Sequence, residues 1–423
     1  MNAVSPVRAG SPPGLARLIA ATSIGNALEW FDILVYGYFA AYIAGAFFPT
    51  GDPATSLLLT LGTFSVSFLA RPVGALVLGA YADRVGRKAS MLVSLVLMTG
   101  ATLAIAVVPT YASIGVLAPA VVLVARLVQG FSAGGEFGSS TAFLVEHAPH
   151  RRGFVGSWQL ASQGFSTLLA SLFGAALTAG MDPASLHDWG WRIPFAFGVL
   201  VGPVGFYIRR HLDEPAHVAR AAGVVSPTRE VLSRQKGRVL LAIGCLAVST
   251  AVNYMLLYMP TYAVKTLHMP PTTGFVATLG AGVILTVLTP FSGMLSDRFG
   301  RTGLMLGSGG LILLALYPSF VLLNAHPTAP VIIAVVLGLA TLKSIYFGPL
   351  PALMAELFPT ETRATGLALS YNLGVTLFGG LGPVVMAWLG GVVGDLAPAF
   401  WLSAIACLSL VALTLVRGRT TLR

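Results

Sequence analysis

The sequence predicts an all-α integral membrane protein, with twelve transmembrane helices in two six-helix bundles related by pseudo-two-fold symmetry. Three observations predict it. The chain is 56% hydrophobic and only 9% charged, with a mean hydropathy of +0.82. A soluble globular chain carries about 25% charged residues, so this one cannot cover itself for water. Twelve apolar runs are long enough to cross a bilayer, which takes about 20 residues. Finally, Gly79-Ala80-Tyr81-Ala82-Asp83-Arg84-Val85-Gly86-Arg87-Lys88 recurs as Gly293-Met294-Leu295-Ser296-Asp297-Arg298-Phe299-Gly300-Arg301-Thr302, an offset of 214 residues in a chain of 423. Each copy is a tight charged turn between apolar runs. Two copies at half-chain spacing mark an internal duplication, the plan on which secondary transporters are built.

The runs follow in order. In the first half they lie near 19–48, 56–82, 89–108, 114–145, 154–179 and 193–208. In the second half they lie near 239–264, 274–295, 303–323, 331–353, 365–389 and 399–416. The domains expected are an N-terminal tail at 1–18, a bundle at 19–208, an interdomain loop at 209–238, a second bundle at 239–416 and a short tail at 417–423. The loop is polar and basic, with a membrane-surface helix as one option. The 48 Gly and 26 Pro suit closely packed, locally broken membrane helices. The first apolar run is too long, and too acidic through Glu29 and Asp32, for a cleavable signal peptide.

A second echo supports the duplication. Glu146-His147-Ala148-Pro149 ends the fourth run and Glu356-Leu357-Phe358-Pro359 ends the tenth, 210 residues on, with Arg152 and Arg363 following. Alternate connections carry most of the Lys and Arg, including Arg84, Arg87, Lys88, Arg151, Arg152, Arg298, Arg301 and Arg363. That bias predicts an inner-membrane protein with both termini and the interdomain loop cytoplasmic. It also accounts for the net charge of +10 without nucleic acid, since no basic domain is present. Cys245 and Cys407 sit inside apolar runs and form neither a disulfide framework nor a metal site. No phosphate loop and no His/Glu or Cys cluster points to an ATP-driven pump or an enzyme. No cofactor is expected beyond a coupling proton, and the chain is expected to act as a monomer.

Charges left at membrane depth are Glu29, Asp32, Arg71, Arg126, Glu136 and Lys343. Each costs at least about 2.5–3.5 kcal/mol at the bilayer centre, so each is a functional candidate. Glu29 and Asp32 are three apart and share a helix face. Two nearby carboxylates raise each other's cost of ionising, which suits a group that takes up and releases a proton. The alternative is a fixed pair with an Arg or a cap at a kink. All seven histidines lie in or beside loops. Glu29, Asp32 and Glu136 are therefore the carboxylates available for a transmembrane proton step.

By the repeat offset, Lys343 maps to position 133, seven residues and nearly two turns after Arg126. Two cations facing one cavity from opposite halves would clamp an anionic substrate, Arg as a bidentate fork and Lys as a point charge. The competing reading pairs Arg126 with Glu136 or Glu29. Arg71 precedes Pro72 and is either a third anchor or a residue at a helix bend. Gln129, Asn253, Tyr254, Tyr371 and Asn372 are polar side chains in apolar helices that either line the cavity or bond across helices. The turns at Gly79, Asp83, Arg84, Gly86, Arg87 and Lys88, and at Asp297, Arg298, Gly300 and Arg301, either pair the halves as a gate or are simple turns with positive-inside residues.

The doubled Gly-x-x-x-Asp-Arg-x-Gly-Arg turn resembles the signature of the major facilitator superfamily. More narrowly, the chain is similar to the metabolite:proton symporters. Gly25-Asn26-Ala27-Leu28-Glu29-Trp30-Phe31-Asp32, Arg71-Pro72-Val73-Gly74, Gln129-Gly130-Phe131-Ser132-Ala133-Gly134-Gly135-Glu136, Trp189-Gly190-Trp191-Arg192-Ile193-Pro194 and Phe378-Gly379-Gly380 carry the likeness. It implies proton coupling and a central cavity between two bundles. The group includes symporters of citrate and tricarballylate, alpha-ketoglutarate, shikimate, and the zwitterions proline and betaine. Arg126 before Leu127-Val128-Gln129-Gly130, and Phe378 to Pro383, resemble citrate-type members. Lys343 departs from that pattern, though an added cation still favours an anion. The resemblance implies a proton-coupled importer of a di- or tricarboxylate such as citrate, with a proline/betaine symporter or another organic-acid (alpha-ketoglutarate, shikimate) symporter as the alternatives.

Overall fold

The computed structural model describes residues 15–85, 87–211 and 227–419, and these are helical almost throughout. Lipid offers the backbone no hydrogen bonds, so an apolar chain at membrane depth satisfies itself as helix. The first half comprises α1 (Leu15–Tyr38), α2 (Ala40–Phe47), α3 (Pro53–Val85), α4 (Arg87–Val107), α5 (Tyr111–Ile114), α6 (Leu117–Ala133), α7 (Glu136–His147), α8 (Arg152–Gly180), α9 (Pro183–Asp188) and α10 (Ile193–His211). A short α11 (Pro227–Arg234) precedes the second half. That half comprises α12 (Lys236–Lys265), α13 (Pro271–Phe299), α14 (Arg301–Ala325), α15 (Ala329–Phe347), α16 (Leu350–Glu356), α17 (Arg363–Val375), α18 (Gly382–Val393) and α19 (Ala397–Arg419).

Ten spans among the described residues are long and apolar enough to cross a membrane, and the bent α1–α2 pair makes an eleventh. With α10 in sixth place, the order of twelve expected from the sequence is complete. Four of the runs are not the single straight helices they read as. The first bends by 65° between α1 and α2. The fourth breaks at Gly134-Gly135 between α6 and α7, and the tenth at Gly348-Pro349 between α15 and α16. The eleventh carries a π-helical turn, Thr376–Gly380, between α17 and α18. Hydropathy runs straight through these breaks because the residues at them are themselves apolar or small. Pro72, by contrast, lies inside the continuous α3 and ends nothing. Within 209–238, α10 runs on to His211, α11 covers Pro227–Arg234 and α12 begins at Lys236. The loop residues 212–226 lie outside the described residues.

The two halves meet most closely along α8 and α13. A Cβ on Gly164 would stand 2.7 Å from the Thr286 backbone nitrogen, and one on Gly282 2.4 Å from that of Leu168. Bare backbones therefore pack against each other, the usual way in which membrane helices gain dispersion contact. α12 is buried along most of its length. It supplies Tyr254 and Asn253 to the site.

Candidate functional site

The site forms where α1, α3 and α6 of the first half meet α12 and α17 of the second. Its floor is aromatic. The Arg71 guanidinium carbon lies 5.1 Å from the Trp30 ring centre and 5.6 Å from that of Phe68. The Arg126 guanidinium lies 4.6 Å from Tyr36 and 5.1 Å from Phe64. From α12, Tyr254 sets its ring 6.1 Å from Phe64 and 5.5 Å from Phe68. One ring of the second half thus closes a box that holds two cations of the first. A guanidinium is weakly hydrated and planar, so ring faces accept it at a depth where an ammonium would be costlier.

Both arginines are anchored and both keep donors in reserve. Arg71 lies 3.8 Å from the Glu29 carboxylate, donates through Nη2 to the Ala133 carbonyl at 3.2 Å, and through Nε to Asn372 Oδ1 at 3.2 Å. Asn372 returns to the first half by donating to the Gly134 carbonyl at 2.8 Å. Arg126 donates to Gln129 Oε1 at 2.7 Å and to Ser67 Oγ at 3.1 Å. Arg71 Nη1, Arg126 Nε and the Tyr254 hydroxyl are buried and have no hydrogen-bond partner among the described residues. A buried donor without an acceptor costs about 1–3 kcal/mol. Three around one aromatic box describe a receptor for an acceptor-rich group.

The expected opposition of Arg126 and Lys343 is realised only indirectly. Lys343 is fully buried, donates to Asn253 Oδ1 at 2.7 Å and lies 4.0 Å from the Phe347 ring centre. Asn253 and Tyr254 are consecutive on α12 and point about 100° apart. Lys343 therefore sits against the helix face next to the one that meets the arginine box. Of the two arginines, Arg71 is the one that forms an ion pair with Glu29 among the described residues, at 3.8 Å. Tyr371 stacks on Phe137 at 3.4 Å and 8° and accepts a hydrogen bond from Gln163 at 2.8 Å, a contact between the halves.

Glu29 and Asp32 share one stretch of α1 but face different neighbours. Glu29 turns to Arg71 of α3, and Asp32 accepts from Thr102 of α4 at 3.0 Å. Both border a crevice that opens among α1, α4, α6 and α10. The side chain of Glu136 lies outside the described residues, as do Gly86 and the side chains of Asp83, Arg84, Arg87 and Lys88. Gly79 sits within α3 with open space beside it.

The second-half turn connects the halves. Gly300, at φ +85°, links α13 to α14 in a conformation that disfavours any side chain. Asp297 reaches across to backbone of the first half and also pairs with Arg301 of its own half at 3.4 Å. It accepts the N–H groups of Gly153 at 2.8 Å and Phe154 at 3.0 Å. These belong to the first turn of α8, where free donors and the helix dipole favour an anion. Arg301 grips Glu356 at 2.6 and 2.8 Å, while Arg298 is exposed. The echoed Glu and Arg pairs then cross over: Arg363 meets Glu146 at 2.8 Å, and Arg152 meets Glu356 at 3.7 Å. Each half contributes one acid and one base to a swapped, pseudo-symmetric latch. Partly exposed pairs are worth about 0–1 kcal/mol each.

Tight backbone packing backs the latch. A Cβ on Gly153 or on Gly293 would stand 2.4 Å from the other's carbonyl oxygen. Gly153→Val should therefore wedge the halves apart at this end. Spin labels at the exposed His150 and Glu361 should report a longer mean distance in the variant. An unchanged distance distribution would remove the latch from the gating account.

Two helical bundles that enclose a cationic site and are joined by crossed ion pairs at one end have the architecture of a membrane carrier. The chain belongs to the Major Facilitator Superfamily, whose family model matches residues 22–371 and 270–422. It is a membrane-embedded transporter of that class and not an enzyme. It is 37% identical over 419 residues to a citrate-proton symporter of Klebsiella pneumoniae, covering 97% of this chain and 94% of that one. It is 35% identical over 418 residues to a proline/betaine transporter of Escherichia coli (strain K12), covering 94% and 82%. Among solved structures it resembles the xylose transporter XylE from E. coli, with a TM-score of 0.74 at 16% identity and coverage of 96% and 97%.

Several residues of the site escape a reading of the sequence. Phe64, Phe68, Ser67 and Thr102 look like ordinary interior residues of apolar helices. Glu146, Arg152, Glu356 and Arg363 are visible as an echo. The echo shows duplication, while the crossing over appears only when the halves are packed together.

Proposed function

We propose that the chain imports a di- or tricarboxylate such as citrate together with protons, by alternating access between its two halves. One observation carries the reading: Arg71 and Arg126 share an aromatic box with unpaired donors, beside Glu29 and Asp32. Among the described residues, three deep cations (Arg71, Arg126, Lys343) stand against two deep carboxylates (Glu29, Asp32). Each proton taken up by Glu29 or Asp32 removes one negative charge from beside Arg71 and Arg126. Proton uptake thus raises the site's attraction for an anion, which is the thermodynamic requirement for symport. The citrate-proton symporter among its relatives supports this substrate class.

A quaternary ammonium such as betaine would also favour aromatic rings. Here the rings already face guanidinium groups, which disfavours a zwitterion's cationic end. The excess of Lys and Arg in alternate loops supports an inner-membrane carrier with cytoplasmic termini, so the latch is the cytoplasmic gate. The carrier works as a monomer, since each chain holds a whole site between its own halves.

Proteoliposome uptake tests the proposal. Citrate should accumulate when the exterior is made acidic, and other di- and tricarboxylates should compete. Uptake indifferent to the pH gradient would overturn symport. Competition by proline and betaine, with none by carboxylates, would transfer the chain to the osmoprotectant class.

A further inference from the structure

Asp32 and Arg126 are joined by a chain of three hydrogen bonds. Arg126 Nη1 donates to Gln129 Oε1 at 2.7 Å, Gln129 Nε2 donates to Thr102 Oγ1 at 2.9 Å, and Thr102 Oγ1 donates to Asp32 Oδ2 at 3.0 Å. The polarity of this chain is determined from its ends. A guanidinium can only donate, so Gln129 must turn its carbonyl to Arg126 and its amide to Thr102. An ionised carboxylate can only accept, so Thr102 must aim its proton at Asp32. That proton has a second acceptor, the Met98 carbonyl, also at 3.0 Å. The Thr102 hydroxyl is therefore a two-position rotor whose setting depends on the charge of Asp32.

The two oxygens of Asp32 face different surroundings. Oδ2 meets the rotor. Oδ1 lies on the Gly198 side, where a Cβ would stand 2.2 Å from it. The bare backbone of α10 makes room there for the carboxylate. Gly198, Gly202, Gly25, Ser94 and Thr99 border the same crevice. Its small, partly polar lining gives water a path to the carboxylate. The charged groups facing Asp32 are Glu29 from its own helix and Arg126 from α6. At this depth α4 presents Thr99 and Thr102 and α10 presents glycines, while α8 carries no charged residue after Arg152.

We propose that Thr102 and Gln129 are positioning residues that couple the proton state of Asp32 to the grip of Arg126 on the substrate. The proposal rests on the reading of Asp32 as a proton carrier. A proton passes from water in the crevice to an Asp32 carboxylate oxygen, and returns to water by the same route; no bond other than O–H is made or broken. When Asp32 is ionised, Thr102 points to it, and Gln129 is held between Thr102 and Arg126. When Asp32 is protonated it no longer attracts the Thr102 proton, which turns to Met98. The new Asp32 O–H donates to Thr102 Oγ1 and competes there with the Gln129 amide, so Gln129 is released from Thr102 and Arg126 Nη1 becomes available to a carboxylate of the substrate. Proton and anion thus enter by separate routes, one through the first bundle and one between the bundles.

Infrared difference spectroscopy of the protein in lipid, acid minus alkaline buffer, tests this without a transported substrate. The wild type should show a carboxylic-acid C=O band that is lost in Asp32→Asn and a guanidinium band that is lost in Arg126→Lys. In Thr102→Val the Asp32 band should persist and the guanidinium band should vanish. Thr102→Ser should restore it. Gln129→Leu breaks the chain one link further on and should behave like Thr102→Val. A guanidinium response that survives both Thr102→Val and Gln129→Leu overturns the relay. A wild-type spectrum without an Asp32 band overturns the proton role of Asp32, a separate failure that takes the relay with it.

Discussion

Replacing Arg126 with alanine should abolish citrate uptake and weaken citrate binding by roughly 30-fold to several-thousand-fold, corresponding to about 2–5 kcal/mol for a truncated buried charge partner. The size follows from the position of the side chain. Arg126 is fully buried, between the Tyr36 and Phe64 rings, with its Nε unpartnered. Water cannot replace it there without entering an aromatic box. Arg126→Lys keeps the charge, loses the fork, and should recover only part of the affinity. Lys343→Ala should cost less than Arg126→Ala, because Lys343 lies on the adjoining face of α12 and holds Asn253. Titration calorimetry on the purified protein, with thermal unfolding as the control for folding, measures all three. An alanine variant binding citrate within about twofold of wild type would remove Arg126 from the site.

The second large effect concerns coupling. Glu29→Gln should eliminate accumulation driven by a pH gradient while citrate exchange persists. Glu29 lies 3.8 Å from Arg71 and offsets its charge. The glutamine variant leaves that charge uncompensated at every pH, so the site stays in the state of the protonated carrier. Anion affinity should be retained and lose its dependence on pH. Asp32→Asn should act in the same direction and also disconnect Thr102 from its charged acceptor. The two carboxylates are separable by experiment, since only the Asp32 change breaks the path to Arg126. Accumulation at the wild-type level in Glu29→Gln would remove Glu29 as a proton carrier. Accumulation at that level in both variants would leave the symport proposal without a proton site.

The candidate site was partly legible from the sequence because charge is costly in lipid. Arg71, Arg126, Lys343, Glu29 and Asp32 stand out in apolar helices for that reason alone. Which acid would meet which base was not legible. Helical spacing places Glu29 and Asp32 on one face, yet the neighbours of that face are Arg71 from α3 and Thr102 from α4. Those contacts join residues 42 and 70 positions apart, and no local pattern encodes them. Thr102 carries no charge and follows ordinary apolar residues, so its role is set entirely by what stands opposite it. The breaks at Gly134-Gly135, Gly348-Pro349 and Thr376–Gly380 were equally hidden. Glycine and proline are common throughout membrane helices, and composition does not tell which of them bend the chain.

By itself the sequence determined what depends on solvent and on repetition. Apolar runs of bilayer length must be helices across a membrane, since lipid satisfies no backbone group. Two copies of a charged turn, 214 residues apart, make the chain two related bundles. Packing decided what depends on distance. It crossed Glu146 with Arg363 and Arg152 with Glu356, seated two arginines on rings from separate helices, and ran a hydrogen-bond chain from Asp32 to Arg126. The physical reason is range. Hydrophobic transfer acts on each segment alone and can be read one segment at a time. Hydrogen bonds and ion pairs act over a few ångströms, and their partners become defined only when segments far apart in the chain are brought together.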